Sequence, residues 1–166
     1  MSDINTRLIQ IKNDDISEFS LQGITTVGKV VDIYDGDTCK IILIYKNDLI
    51  KFTCRLKNLD TPEMKPPKDK QNREEEIKNA YICRNRLLQL STSCECILEE
   101  QQTKTQIKKL LDKNNKIITV RCYEFDKYGR LLVELITNSE KTINNILIEE
   151  GRAKYYDGGT KDVFTY

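Results

Sequence analysis

Asp35, Asp37, Asp60 and Glu63 are four carboxylates in two short runs, Asp35-Gly36-Asp37-Thr38 and Asp60-Thr61-Pro62-Glu63, with Arg55 between them. Oxygen donors gathered in this way suit a hard divalent cation, which carboxylates and carbonyls bind with flexible geometry. A guanidinium beside them suits a phosphoryl group that gains charge during displacement, and Arg130 offers a second one. Two structural accounts compete with these readings. Turn aspartates satisfy backbone donors, and arginine beside carboxylate is a common ion pair. The chain has no histidine, which excludes imidazole general bases, histidine metal ligands and Ser-His or Cys-His nucleophiles. Any hydrolysis falls to carboxylates and arginines.

Both acidic runs stand at strand ends. Apolar alternation predicts strands over 27–34, 38–45 and 49–57, separated by Asp-Gly-Asp and Lys-Asn-Asp turns, which makes a three-strand meander. In the third strand Ile50, Phe52, Cys54 and Leu56 alternate with Lys51, Thr53, Arg55 and Lys57, so Arg55 points away from the core toward the following loop. Two more strands are predicted over 116–123 and 130–136, joined by the turn Glu124 to Gly129. Ile77, Ala80, Tyr81, Arg84, Leu87 and Leu88 recur at helical spacing and predict an amphipathic helix over 74–90. Shorter helices are predicted over 104–113 and 142–150, the last stopped by Gly151. Residues 1–24 show no sustained period and read as an extension with room for a short helix, ahead of one domain over 25–166.

With 27 Lys and Arg against 26 Asp and Glu, the chain has a formal net charge of +1 and no global positive field, so any polyanion site must be local. Lys65, Lys68, Lys70 and Arg73 follow Glu63, but Asp69 and Glu74-Glu75-Glu76 dilute them, which favours a solvated face. Cys94 and Cys96 have no second pair at zinc spacing and read as structural. The N-terminus lacks the basic start and apolar core of an export signal, and no apolar run is long enough to cross a bilayer. A soluble, intracellular protein with reduced thiols is expected.

Taken in order, Asp35-Gly36-Asp37-Thr38, Arg55 followed by Asp60-Thr61-Pro62-Glu63, and Asp126-Lys127-Tyr128-Gly129-Arg130 resemble the staphylococcal nuclease (thermonuclease) family over a span from about Gly28 to Lys154. The resemblance implies a mainly β fold with α (α+β), an OB-type five-stranded barrel with about three helices. It implies that Asp37, Asp60 and the carbonyl of Thr61 bind calcium, with Asp35 just beyond the ion's direct contacts. By the same resemblance Glu63 activates water and Arg55 and Arg130 grip the scissile phosphate, while Lys127 and Tyr128 contact a terminal nucleotide phosphate. The activity implied is hydrolysis of DNA or RNA to 5′-hydroxyl and 3′-phosphate ends; separately from the resemblance, a monomer is expected.

The chain departs from that family's pattern in three places, one of them the little room left before Tyr166 for the C-terminal helix of the secreted enzymes. A segment near 94–114 is inserted before the fourth barrel strand, and the tyrosines that stack on the base are displaced, leaving Tyr155 and Tyr156 as candidates. A catalytically inactive OB-fold nucleic-acid-binding module is the alternative from another class, and a protein-interaction domain with structural calcium is a third.

Overall fold

In the computed structural model, which describes residues 3–159 and 164, the meander forms as the alternation predicts. Strands β1 (Thr25–Ile33), β2 (Thr38–Tyr45) and β3 (Asp48–Leu56) pair antiparallel in sequence order. Strand β4 (Leu59–Asp60) follows at once, and after a long helical connection come β5 (Ile118–Phe125) and β6 (Leu131–Ile136). β5 pairs with both β1 and β6, while β6 runs parallel to β3, so the order β1-β2-β3-β6-β5 closes into a barrel without edges. Its interior is the alternate set of each strand, including Val30, Ile41, Leu43, Cys54, Leu56, Val120, Leu131, Val133 and Leu135, all almost fully buried. This is the OB-type α+β architecture expected.

Among the described residues four α-helices accompany the barrel, one more than the three predicted with defined spans. The addition is α1 (Asp3–Gln10), in the N-terminal extension, which buries none of its residues. Helix α2 (Arg73–Ser91) buries Ala80, Cys83, Leu87 and Leu88, and α3 (Lys104–Asp112) packs Ile107 and Leu111 against the barrel beside β1. Helix α4 (Ile143–Glu149) ends at Gly151, whose φ of +68° is the left-handed conformation that suits glycine. A short strand β7 (Lys154–Tyr155) then pairs with β4, an element too brief to leave a sequence period. No described helix is long and apolar enough to cross a membrane.

The segment between α2 and β5 is held by side chains rather than by a core of its own. Asn85, fully buried on α2, donates through Nδ2 to the carbonyls of Ile97, Leu98 and Glu100 at 2.8 to 3.1 Å. Gln89 donates to the Cys96 carbonyl at 2.8 Å. Cys94 and Cys96 are free thiols that donate to the carbonyls of Leu110 and Asn85, consistent with the structural reading. At the far end Asn114 accepts from the Ser93 and Lys116 backbones, both at 3.0 Å. Its Nδ2 donates at 3.2 Å to the carbonyl of Val30, beside the point where β1 slips register against β2.

One contact sets how closely α2 approaches the acidic turn between β1 and β2. A Cβ built on Gly36 would overlap the Cys83 sulfur and lie 3.0 Å from Thr61 Cγ2. Only a residue without a side chain lets helix, turn and β4 loop meet there. Gly36→Ala is expected to cost about 1–3 kcal/mol through overpacking. Urea unfolding should show that loss, and adding Cys83→Ala should return part of it; strictly additive effects would show that the two positions do not press on one another.

Candidate active site

The polar face of β3 carries Arg55 to the mouth of the barrel, as its alternation predicts. There its guanidinium reaches three partners. One nitrogen pairs with the Asp37 carboxylate, and another lies 3.7 Å from Asp60 Oδ1 and donates to the Leu59 carbonyl at 3.1 Å. The backbone supports the same junction, since the Leu56 amide donates to the Asp37 carbonyl at 2.8 Å.

The two turn aspartates divide the readings left open by their sequence. Asp35 Oδ1 accepts from the amides of Asp37 at 3.1 Å and Thr38 at 2.7 Å, which is the turn-stabilising role. Asp37 does something else: it is 3% exposed, and its carboxylate accepts from the Thr38 hydroxyl at 2.7 Å. Burial pushes its pKa up to about 7, helped by the charge of Asp35 and opposed by Arg55 and the Thr38 hydrogen bond.

Arg130 enters from the start of β6 and is aimed by Asp126, whose Oδ2 accepts from its Nε at 2.7 Å. Asp126 Oδ1 closes the turn by accepting from the Tyr128 and Arg130 amides, both at 2.9 Å. Burial works to raise the Asp126 pKa, but these hydrogen bonds outweigh it and hold the group below its usual value. The Arg130 fork also reaches the Thr38 hydroxyl at 3.5 Å. Thr38 therefore links the two arginine arms, accepting from one and donating to the carboxylate held by the other.

A cavity of about 680 Å³ gathers these groups. Asp35, Asp37, Arg55, Asp60, Thr61, Glu63, Lys127, Tyr128, Arg130 and Tyr156 all line it. Tyr155 does not: it pairs with Leu59 in β7 and is 61% exposed, while its neighbour points the other way, as strand alternation demands. The Tyr128 ring is 72% exposed at the rim, with Lys127 Nζ 5.2 Å and Arg130 Cζ 5.4 Å from its centroid.

Three positioning residues escaped the sequence reading. Glu76, almost fully buried on α2, accepts from the Glu63 amide at 3.1 Å and pairs with Lys70, so it pins the loop that carries Glu63. An acid in helical register with Ala80, Cys83 and Leu87 was its signal. Thr38 and Asp126 stood in quoted motifs, but their roles need the tertiary fold. Lys70 and Arg73 also turn out to be engaged, the latter donating to the Pro66 carbonyl at 3.3 Å, whereas Lys65 and Lys68 are exposed.

Among the described residues no group of three or more His, Cys, Asp or Glu is arranged as a metal site. The smaller donor set of Asp37, Asp60 and the Thr61 carbonyl nevertheless fits a hard cation in chemistry, because all three residues are buried oxygen donors on one cavity.

A family model described as Staphylococcal nuclease homologue matches residues 53–165, a span that includes Arg55, Asp60, Thr61, Glu63, Lys127, Tyr128 and Arg130. No curated protein matches the chain.

The pH dependence of stability follows from Asp37. A carboxyl whose pKa is raised on folding stabilises the fold while it is protonated, fully so below its unfolded value near 3.8, and that contribution is lost as pH rises through about 7. In chelator, wild type should therefore lose more stability between acidic and mildly alkaline pH than Asp37→Asn does. Parallel urea midpoints for the two proteins across that range would contradict it.

Proposed function

The chain belongs to the staphylococcal nuclease homologue family, and from that premise we propose that it is a calcium-dependent phosphodiesterase that hydrolyses DNA or RNA to 5′-hydroxyl and 3′-phosphate ends. The observation that carries this reading is the convergence of Arg55, Arg130, Glu63 and the Asp37-Asp60-Thr61 oxygens on one cavity. A binding module needs cations and aromatic faces, but it has no use for buried acids held beside them.

In this reading a phosphodiester lies between the two arginines, whose forks bind its non-bridging oxygens and stabilise the charge that builds there. Glu63, on the exposed loop pinned by Glu76, takes a proton from water as that water attacks phosphorus in line. The bond from phosphorus to the 5′ oxygen breaks, that oxygen takes a proton from solvent water and departs as the 5′-hydroxyl, and Glu63 gives its proton back to solvent. Asp37, Asp60 and the Thr61 carbonyl would hold calcium, which when bound supplies positive charge beside the phosphate. Arg55 now balances the buried Asp37 charge. With that charge balanced otherwise, its fork is released toward the phosphate. Tyr156, which lines the cavity where Tyr155 does not, is the better placed of the displaced pair to stack on a base.

The deciding experiment is incubation of plasmid and RNA with purified protein in calcium or in chelator. Glu63→Gln should lower turnover by roughly 10²–10⁴ with little change in substrate affinity, because shape is retained and the base is lost. Arg55→Lys and Arg130→Lys should also slow turnover, since a point charge does not replace a planar two-donor fork. Wild-type rates in all three variants would reject the assignment, and tight binding without cleavage by wild type would favour the binding module.

Tyr156→Leu should weaken binding of a short oligonucleotide by about 1–3 kcal/mol, and Tyr155→Leu should leave it nearly unchanged. Fluorescence anisotropy in chelator separates the two, and equal losses would remove the distinction.

A further inference from the structure

A second cavity, of about 430 Å³, opens beside the turn between β1 and β2. Ile33, Tyr34, Met64 and Tyr81 give it an apolar and aromatic lining, and Lys40, Lys65 and Lys104 stand on it from three separate elements. All three lysines are exposed, and the single acid in the wall, Asp32, lies 3.6 Å from Lys40. Gln102, Thr103 and Lys104 belong to the inserted segment, and Arg84 holds that wall in place by donating to the Gln102 carbonyl at 2.8 Å. The cavity is therefore a product of this chain's own insertion. Its size suits a small molecule or a docked side chain, and its charge calls for an apolar group flanked by carboxylates.

The chain carries such a segment itself. Asp14-Asp15-Ile16-Ser17-Glu18, in the N-terminal extension, sets three acids around one large apolar residue, and all five residues are exposed, Ile16 by 62%. Asp14 accepts from the Asn13 side chain at 3.1 Å and Asp15 from the Lys12 backbone at 2.9 Å, bonds made within their own turn. Among the described residues no ion pair forms at Asp14, Asp15, Glu18, Lys65 or Lys104. Ile16 has extended backbone, with φ −129° and ψ 123°, so it needs little reordering to lie along a surface.

Ile16 does not reach the cavity of its own molecule. Phe19 is seated on Tyr45, with ring centroids 5.9 Å apart, and Leu21 is buried in the core. Tyr45 and Thr38 are the two ends of β2, roughly 24 Å apart at the usual strand rise. The chain from Phe19 to Ile16 spans at most about 11 Å. A second copy has no such limit. We propose that the N-terminal extension of one molecule docks in the second cavity of another copy. Ile16 then packs against Ile33, Met64 and the tyrosine rings, while Asp14, Asp15 and Glu18 face Lys40, Lys65 and Lys104. Two copies related by a two-fold axis make the contact twice, one extension in each direction. The expected monomer is then the dilute state. The contact does not depend on the nuclease reading, but it reaches the same loops. Met64 and Lys65 follow Glu63 directly, and Thr38, also in the wall, bonds to Asp37 and Arg130.

Sedimentation velocity of the full chain over a concentration series tests the contact. Wild type should pass from monomer to dimer as concentration rises, and added salt should weaken the dimer, as it does exposed charge pairs. Two variants each reverse one side: Asp14→Lys with Asp15→Lys and Glu18→Lys on the extension, and Lys65→Glu with Lys104→Glu on the cavity. Each alone should self-associate roughly tenfold more weakly than wild type, or less still. Mixed in equal amounts they should form a heterodimer, because opposite charges then face each other at both contacts. Misfolded variants would not recover in this way. Ile16→Ser, at a position already 62% exposed and so of little weight in folding, should weaken association by a similar factor.

A wild type that stays monomeric, variants that associate as well as wild type, or a mixture that fails to pair would overturn the proposal. So would a fluorescein-labelled peptide of residues 12–20 that binds the full chain no better than its scrambled counterpart, the result expected if the cavity serves an acidic partner other than this chain.

Discussion

The close approach of α2 to Gly36 is the constraint on which the rest of the site depends. The Cys83 side chain occupies the space where any Cβ at that position would stand, so the helix seats directly on the turn between the two aspartates. From that seat α2 sends Glu76 toward the Glu63 loop on one side, and Arg84 and Asn85 into the inserted segment on the other. A helix standing farther off would loosen all three attachments together. Small displacements of this kind are costly in catalysis, where an ångström of misplacement can outweigh a lost contact.

Charge is arranged with a similar economy. Asp37 is buried with a single nearby guanidinium and one hydroxyl, which leaves it strained toward protonation, whereas Asp35 is absorbed into the turn and Asp126 into aiming Arg130. The three aspartates thus have the same chemistry and different tasks, decided by what surrounds each.

Most of the barrel was legible because its strands alternate cleanly, and β2 coincides with its predicted span at 38–45. The site residues were legible for a related reason: turn and strand-end motifs carry chemistry in short windows. Pairing across long separations was not. Nothing local shows that β6 lies parallel to β3, that β4 meets β7, or that Tyr156 rather than Tyr155 faces inward. Buried polar residues were also missed: Glu76 read as part of a solvated run until the Glu63 loop lies against it, and Asn85 gave no signal until the inserted segment covers it. Residues 94–102 of the segment have little apolar periodicity because hydrogen bonds to α2 hold them, whereas α3 behind them packs Ile107 and Leu111 into the core.

The clamp at Asn114 has a consequence for how this fold can vary. Its side chain joins Ser93 to Lys116, and the Asn115 amide adds a bond to Ser93 Oγ at 3.2 Å, so the segment leaves and returns at one point. A loop whose ends are already fastened can grow or shrink at small entropic cost, about 0.6 kcal/mol for each doubling of length. The strands it hangs from need not move when it does. The segment is in that sense an exchangeable cassette: the stretch ahead of α3 can be rewritten while Asp37, Asp60, Arg55 and Arg130, anchored at the barrel, keep their places.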